Sequence, residues 1–248
     1  MSKISDALDK ADRERRKGLE GGRPPEPPSQ LGPSLSGHLP SGMWRELGIM
    51  RNLVESQLPS RKFRSLLITA ATPGEGVSTV TANFAKTLAD DPSLNIFVVD
   101  ANSEDAAQHE MFQLDNSSGF VEFARGDSKL DDVVRVTPRT NLCVVTSGAP
   151  TGGMFQLAGT ERVAAFIETL RPRFHYLFFD APPVLTYPET AVLGSRVDGV
   201  LLVVRSVSTR REAVARARDA LVKSGCNIVG VVLNRYKYSI PEFIYKRI

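Results

Sequence analysis

The stretch "ATPGEGVST" (residues 71–79) decides the fold of this chain, because it joins a strand-like run to a helix-like one. The apolar "SLLITA" (65–70) precedes it and "VTANFAKTLA" (80–89) follows it. Glycines in such a turn let backbone N–H groups wrap a phosphate, and the helix N-terminus adds its positive dipole end. The sequence therefore predicts a phosphate-binding loop, with these candidate nucleotide-binding residues: Gly74, Glu75, Gly76, Val77, Ser78 and Thr79.

Two positions of this loop differ from the usual pattern G-x-x-x-x-G-K-[ST]. Ala71 stands in place of the first glycine, and Val77 stands in place of the lysine. Ser78 occupies the place of the hydroxyl ligand of Mg²⁺. Because a turn between a strand and a helix often carries glycines for packing alone, the loop needs support from other parts of the chain.

Apolar strands alternate with helical segments after residue 64. The predicted strands are "SLLITAA", "NIFVVD", "NLCVVTSG", "YLFFDAPP", "VDGVLLVVRS" and "NIVGVVLNR". Helices are predicted between them, with "GFVEFARG" and "LDDVVRV" as short ones and another helix from about residue 43 to residue 58. Strands that are apolar on both faces predict an α/β fold, with a mostly parallel, twisted sheet and helices on both of its faces.

Two predicted strands end on an aspartate, Asp100 in "IFVVDANSE" and Asp180 in "YLFFDAPP". Right-handed crossovers bring the C-terminal ends of parallel strands to one edge, where ligands of such sheets bind. An aspartate that faces a phosphate loop typically holds Mg²⁺, which gives Asp180 that role beside Ser78 and makes Asp100 a second acidic candidate at the same edge. Each aspartate has a purely structural alternative as a helix N-cap or turn residue.

The composition excludes several classes of protein. Net charge is +3, and the last fifteen residues carry four basic residues against one glutamate, so the rest of the chain is balanced and a nucleic-acid partner is not expected. No apolar run reaches the roughly 18 residues that span a bilayer, and the charged N-terminus lacks the core of a signal peptide. The two cysteines, Cys143 and Cys226, favour free thiols in the cytoplasm.

Four segments are expected along the chain. Residues 1–17 form an amphipathic helix, which is either solvated or a docking peptide that folds on a partner. Residues 18–42 are rich in Pro, Gly and Ser and predict a disordered linker. Residues 43–234 form the α/β domain, and residues 235–248 form a basic tail that contains tyrosines.

Taken together, these motifs resemble those of a known family. "TPGEGVST", "FVVDAN", "YLFFDAPPVL", "VDGVLLVVRSVSTRREAV" and "NIVGVVLN" are similar to segments of the bacterial tyrosine autokinases of capsule and exopolysaccharide systems. Those kinases are a branch of the P-loop ATPases that includes MinD and ParA. The resemblance extends from about residue 45 to residue 234.

The resemblance implies an ATP- and Mg²⁺-dependent kinase that phosphorylates its own tail, assembles with copies of itself and is activated by a membrane-embedded chain-length protein. It would then act at the inner face of the membrane through that partner. By position, Ser78 would hold Mg²⁺ and Thr79 would contact phosphate. The resemblance also makes Asp100 and Asp180 the candidate catalytic residues, with Asp100 serving the metal and catalysis and Asp180 the metal shell. The candidate acceptors are Tyr236, Tyr238 and Tyr245, whose alternative role is the packing of a terminal segment.

The chain departs from the family where the chemistry occurs. Val77 replaces the lysine, Asn102 replaces the second aspartate of a D-x-D strand end, and Glu104 stands near a usual arginine. In the family's assembly helix, Arg51 fills one basic place but Gly48 falls at the other. These departures favour weakened nucleotide binding.

Three functions follow from these observations. The first is a regulatory relative of the kinases that acts in polysaccharide synthesis or export with impaired phosphoryl transfer. The second is an active tyrosine autokinase that uses another cation. The third is a positioning ATPase of the MinD or ParA kind.

Overall fold

The computed structural model describes residues 41–58, 62–149 and 161–236, together with Asp6 and Asp9, which have helical geometry. The other residues of the expected N-terminal helix and most of the expected linker lie outside the described residues. So do the candidate acceptors Tyr238 and Tyr245.

Seven strands form one sheet in the order β3-β4-β2-β5-β1-β6-β7. Their bounds are β1 Arg64–Ala70, β2 Ile96–Asp100, β3 Val134–Val136, β4 Leu142–Val145, β5 Tyr176–Asp180, β6 Gly199–Arg205 and β7 Ile228–Asn234. Every neighbouring pair is parallel except β3 with β4, which is antiparallel. The prediction of a mostly parallel α/β sheet is therefore confirmed.

Helices cover both faces of the sheet. Their bounds are α1 Ser41–Gln57, α2 Val77–Leu88, α3 Gln108–Phe112, α4 Phe120–Arg125, α5 Leu130–Val133, α6 Glu161–Leu170, α7 Glu189–Gly194 and α8 Arg211–Lys223. One buried apolar cluster joins the sheet to α4, α6, α7 and α8, and a second joins it to α1, α2 and α3. Along β1, Leu67 belongs to the first cluster, while Leu66 and Ile68 belong to the second, as the alternation of a strand requires.

The segment "LDDVVRV" (130–136) is only partly helical, so the prediction of a short helix there was wrong for its second half. The helix α5 ends at Val133, and Val134 to Val136 form β3, which pairs with β4. Val134 is buried, and its main chain is paired opposite Val145. Because β-branched residues suit a half-buried pleated surface, pairing with a strand end decides the conformation of this short piece.

α1 begins at Ser41, slightly earlier than residue 43, where the sequence predicts it to start. In this helix, the side chain of Glu55 accepts hydrogen bonds from the hydroxyl of Tyr176 (2.8 Å) and from Nε of Arg51 (2.9 Å). Arg51, a candidate assembly residue, is therefore engaged within its own chain. Among the residues that the structure describes, no helix combines the length and apolar character needed to cross a bilayer.

Phe166 of α6 lies at the centre of an aromatic cluster between this helix and the sheet. Its ring centroid is 5.2 Å from that of Phe123, 5.8 Å from Phe97, and 6.2 Å from both Phe120 and Phe179. The side chain is almost fully buried. Such rings contribute through burial and through their tilted and edge-to-face contacts.

Phe166→Ala should therefore lower the free energy of unfolding by about 3–5 kcal/mol, because it leaves a cavity where four rings meet. Urea denaturation followed by circular dichroism measures this change. Val222→Ala, at an exposed position of α8, is the control and should change stability by less than about 0.5 kcal/mol. Equal effects of the two substitutions would contradict the central position of Phe166.

Candidate functional site

The loop between β1 and α2 has a defined conformation held by its own side chains. Oε1 of Glu75 accepts hydrogen bonds from the backbone N–H of Thr72 (3.0 Å) and from its hydroxyl (2.6 Å). Gly74 and Gly76 have φ values of 78° and 91°, a region that favours glycine. From β7, Nδ2 of Asn234 donates to the carbonyl oxygen of Glu75 at 2.8 Å. The loop is thus held by contacts within the chain on both of its sides.

Gly76 is required for a second reason besides its φ value. A Cβ atom at this position would lie 2.3 Å from Nδ2 of Asn234. The glycine therefore lets the last strand approach the loop, so the turn is shaped by contacts from both of its sides.

Val77, at the first position of α2, packs against the apolar cluster that α1, α2 and α3 share. The next lysine along the chain, Lys86, is held elsewhere. Its Nζ donates to the carbonyl oxygen of Met111 at 2.9 Å and lies 4.8 Å from the ring centroid of Phe112. Burial lowers the pKa of Lys86, with a smaller contribution from Arg139. Lys86 is therefore not a substitute for the missing lysine in this structure.

Asp100 and Asp180 lie side by side, because β2 and β5 are adjacent and the two residues are register partners. Both are fully buried. Burial, followed by the charge of Asp180, raises the pKa of Asp100 well above its ordinary value. Burial also raises the pKa of Asp180 to about 6, although hydrogen bonds to its side chain oppose this. The sequence places both residues at this edge correctly.

The carboxylate of Asp100 is held by backbone donors. Oδ1 accepts from the N–H of Asn102 (3.1 Å), and Oδ2 accepts from the N–H groups of Ala107 (3.1 Å) and Gln108 (3.0 Å). These bonds make Asp100 the anchor of the segment that follows β2. An anchored carboxylate of this kind keeps a fixed orientation beside Asp180.

Gln108 is a residue of the site that sequence reasoning missed. Its side chain is fully buried, and its Nε2 donates to Oδ2 of Asp180 (2.7 Å) and to the carbonyl oxygen of Ser78 (3.1 Å). It thereby joins the start of α2 to the end of β5. No motif marks it, and the only signal in the sequence is a polar residue close after the strand that ends at Asp100.

The other candidate residues have different environments. The hydroxyl of Ser78 lies close enough to lower the pKa of Asp180, although Oδ1 of Asp180 has no hydrogen-bond partner of ordinary geometry. Thr79 is exposed. The side chain of Asn102 closes its own turn, because Nδ2 donates to the carbonyl oxygen of Asp105 (3.2 Å) and Oδ1 accepts from its N–H (3.3 Å).

The donor set suits Mg²⁺, which prefers oxygen ligands. Oδ1 of Asp180 and Oε1 of Gln108 are both buried without a hydrogen-bond partner. A cation bound beside the two close carboxyl groups would also reduce the repulsion between their ionised forms. Within the described part of the chain there is no group of three or more His, Cys, Asp or Glu residues that could hold a metal, so a cation here depends on hydroxyl, amide or ligand oxygens as well.

Tyr236 follows β7 and is exposed at its side chain. It comes two residues after Asn234, whose side chain contacts the loop, so its Cα lies within about 7.6 Å of that of Asn234. One candidate acceptor is therefore placed at the edge of the sheet that carries the loop.

Known proteins resemble this chain in sequence. No family model matches it. It is 28% identical over 190 residues to the tyrosine-protein kinase YwqD of Bacillus subtilis, a match that covers 77% of this chain and 80% of that protein. It is 26% identical over 188 residues to the tyrosine-protein kinase CpsD of Streptococcus agalactiae, covering 75% of this chain and 82% of that protein.

Solved structures resemble it in fold. The kinase domain of the Escherichia coli tyrosine kinase ETK matches with a TM-score of 0.78 at 24% identity, over 85% of this chain and 83% of that one. The chimerical protein CapA2B2 matches with a TM-score of 0.75 at 26% identity, and the match covers 91% of this chain and 100% of that one. MinD of Pyrococcus horikoshii matches with a TM-score of 0.59 at 23% identity, and the match covers 74% of this chain and 76% of that one.

The two comparisons agree with the geometry of the loop and of the paired strand ends. The fold is the one that the bacterial kinase domains share with MinD, and the sequence similarity extends over three quarters of the chain. This chain is similar in sequence to the bacterial tyrosine-protein kinases and has the fold that their kinase domains share with MinD, as its motifs predict.

Proposed function

We propose that this chain binds ATP and Mg²⁺ weakly at the 71–79 loop and regulates polysaccharide synthesis or export, with impaired phosphoryl transfer. The observation that carries the proposal is Val77, whose side chain packs against an apolar cluster where the family places its lysine. The surrounding fold is complete, so the change affects charge more than shape.

Nucleotide binding is supported by the closed loop and by the donor set beside it. The loop keeps Gly74 and Gly76, its helix N-terminus and the hydroxyl of Ser78, and the corresponding groups bind phosphate or Mg²⁺ in P-loop proteins. The structure of Pyrococcus horikoshii MinD is a complex with Mg-ADP. On this proposal, Ser78 and Asp180 hold the cation, which would neutralise phosphate charge.

Impaired transfer follows from the missing charge. A charge-assisted hydrogen bond contributes about 1.5–3 kcal/mol, so its loss weakens binding by about 10- to 100-fold. Phosphoryl transfer depends mainly on positioning and on neutralising charge, so catalysis loses more than binding does. Lys86 is held by Met111 and does not supply the charge in this structure.

The partner that we propose is a membrane-embedded polysaccharide chain-length or export protein, which would place this chain at the cytoplasmic face of the membrane. The likeness to the chimerical protein CapA2B2 and to the Escherichia coli tyrosine kinase Etk supports this choice. Self-assembly is also proposed from the family, although Arg51 is engaged with Glu55 within the chain. A balanced charge gives no support for a nucleic-acid partner.

A second candidate function is an active tyrosine autokinase. It is favoured by the convergence of Ser78, Asp100 and Asp180 and by the position of Tyr236 near the loop. This function requires a cation from another molecule or from a rearranged side chain. The tail tyrosines Tyr236, Tyr238 and Tyr245 would then be its acceptors.

Val77→Lys should lower the Kd for a fluorescent ATP analogue with Mg²⁺ by about 10- to 100-fold, because it restores the charge that pairs with the phosphates. A fluorescence titration of the full-length protein measures the change. Val192→Lys makes the same substitution at an exposed position of α7 and should leave the Kd unchanged. An unchanged Kd in Val77→Lys would show that the lost lysine does not limit binding.

Asp180→Asn should raise the melting temperature of the metal-free protein by about 2–4 °C, the shift that about 1 kcal/mol produces in a domain of this size. The reason is that Asp180 has a raised pKa in the folded protein, so its ionisation above that pKa opposes folding, and asparagine does not ionise. The same substitution should abolish the stabilisation that Mg²⁺ with ADP gives the wild type. Differential scanning fluorimetry follows both effects, and a variant that Mg²⁺ with ADP still stabilises fully would exclude Asp180 from the cation site.

Purified wild-type protein with ATP and Mg²⁺ should form no phosphotyrosine above background, because the lysine charge is absent. Immunoblotting with an antibody to phosphotyrosine tests this, and a lysine-bearing relative serves as the positive control. Tyrosine phosphorylation of the wild type that disappears in Asp180→Ala would replace the regulatory function with the active kinase. Loss of the phosphotyrosine signal in Tyr236→Phe would then identify Tyr236 as the acceptor.

A further inference from the structure

Gln108 contacts both buried aspartates of the site. Its main-chain N–H donates to Oδ2 of Asp100 at 3.0 Å, and its side-chain Nε2 donates to Oδ2 of Asp180 at 2.7 Å. The same Nε2 donates to the carbonyl oxygen of Ser78 at 3.1 Å. Both hydrogens of the amide are used, so these two bonds fix the orientation of the side chain. The amide oxygen is an acceptor and takes no part in them.

Two oxygen atoms of this arrangement have no hydrogen-bond partner, Oε1 of Gln108 and Oδ1 of Asp180. Both side chains are fully buried. A buried acceptor left unpaired costs about 1–3 kcal/mol. A bound cation would remove this cost for both atoms at once and would also offset the repulsion between Asp100 and Asp180.

The distances fit a single cation between the two side chains. The oxygen and nitrogen of any amide are about 2.2 Å apart, so Oε1 of Gln108 lies within about 5 Å of the Asp180 carboxylate oxygen that accepts from Nε2. Two oxygens bound to one Mg²⁺ at about 2.1 Å are about 3 Å apart when adjacent and about 4 Å apart when opposite. Small movements therefore suffice for both side chains to reach one ion.

We propose that the side-chain oxygen of Gln108 is a ligand of the divalent cation, beside Asp180 and Ser78. It supplies a neutral oxygen at a site where Asn102 supplies none, because the Asn102 side chain is bonded to Asp105. This inference rests on the proposed function, since it concerns the cation of the same nucleotide site. It adds a ligand from α3, an element that the phosphate loop does not include.

A purely structural role for Gln108 would depend on a different part of its side-chain amide than cation binding does. A strut between α2 and β5 needs the two amide hydrogens, whereas a cation ligand needs the oxygen. Gln108→Glu keeps oxygen atoms at the same reach and removes both donors. Gln108→Leu has a similar volume and removes donors and oxygen alike. The two variants therefore separate the two roles.

The experiment is a titration of the full-length protein with Mn²⁺, in which electron paramagnetic resonance detects the free ion. It is carried out first without nucleotide and then with ADP. Gln108→Leu should weaken Mn²⁺ binding by about 10-fold or more, whereas Gln108→Glu should bind Mn²⁺ as tightly as the wild type or more tightly. Gln57→Leu and Gln57→Glu, at an exposed position of α1, are matched controls and should not change binding.

The outcomes distinguish this inference from the proposed function. Equal Mn²⁺ binding by wild type and Gln108→Leu overturns the inference and leaves the nucleotide site intact. If the wild type binds Mn²⁺ neither alone nor with ADP, the cation of the proposed function fails and the inference fails with it. If Gln108→Leu does not fold, Gln108→Glu decides, since a folded Glu variant that loses Mn²⁺ binding also overturns the inference.

Discussion

The pairing of β2 with β5 imposes the constraint on which the site depends, because it places two aspartates next to each other inside the protein. Asp100 and Asp180 are partners in the parallel register, so the sheet places both side chains on the same face. Burial, followed by the charge of Asp180, raises the pKa of Asp100, because both disfavour its ionised form. The polar groups around them, above all Gln108, compensate only in part.

At this edge of the sheet, the loop keeps its conformation although Val77 carries no positive charge. The loop retains its closed form through Glu75, Thr72 and Asn234, none of which is the missing lysine. Val77 meanwhile belongs to the hydrophobic packing beneath α1 and α2. On the proposed function, the loop keeps the shape that holds a triphosphate, while a group outside the loop has to neutralise the negative charge.

The sequence predicts the sheet and the two aspartates because parallel apolar strands constrain where their ends lie. It does not predict Gln108, since α3 is short and its position depends on hydrogen bonds to Asp100 that form only in the folded state. The contact of Asn234 with the loop spans a sequence separation of 159 residues, and no local pattern encodes it. The strand β3 escaped prediction because pairing with β4, and not intrinsic propensity, decides its three residues.

The hydrogen bond from Asn234 to Glu75 also sets an order of events during synthesis. A domain generally folds as a unit during synthesis, and here the loop receives the hydrogen bond from Asn234 only once the last strand, β7, has been made. A nascent chain that stops before β7 lacks this donor. The complete set of contacts around residues 71–79 is thus a property of the finished domain.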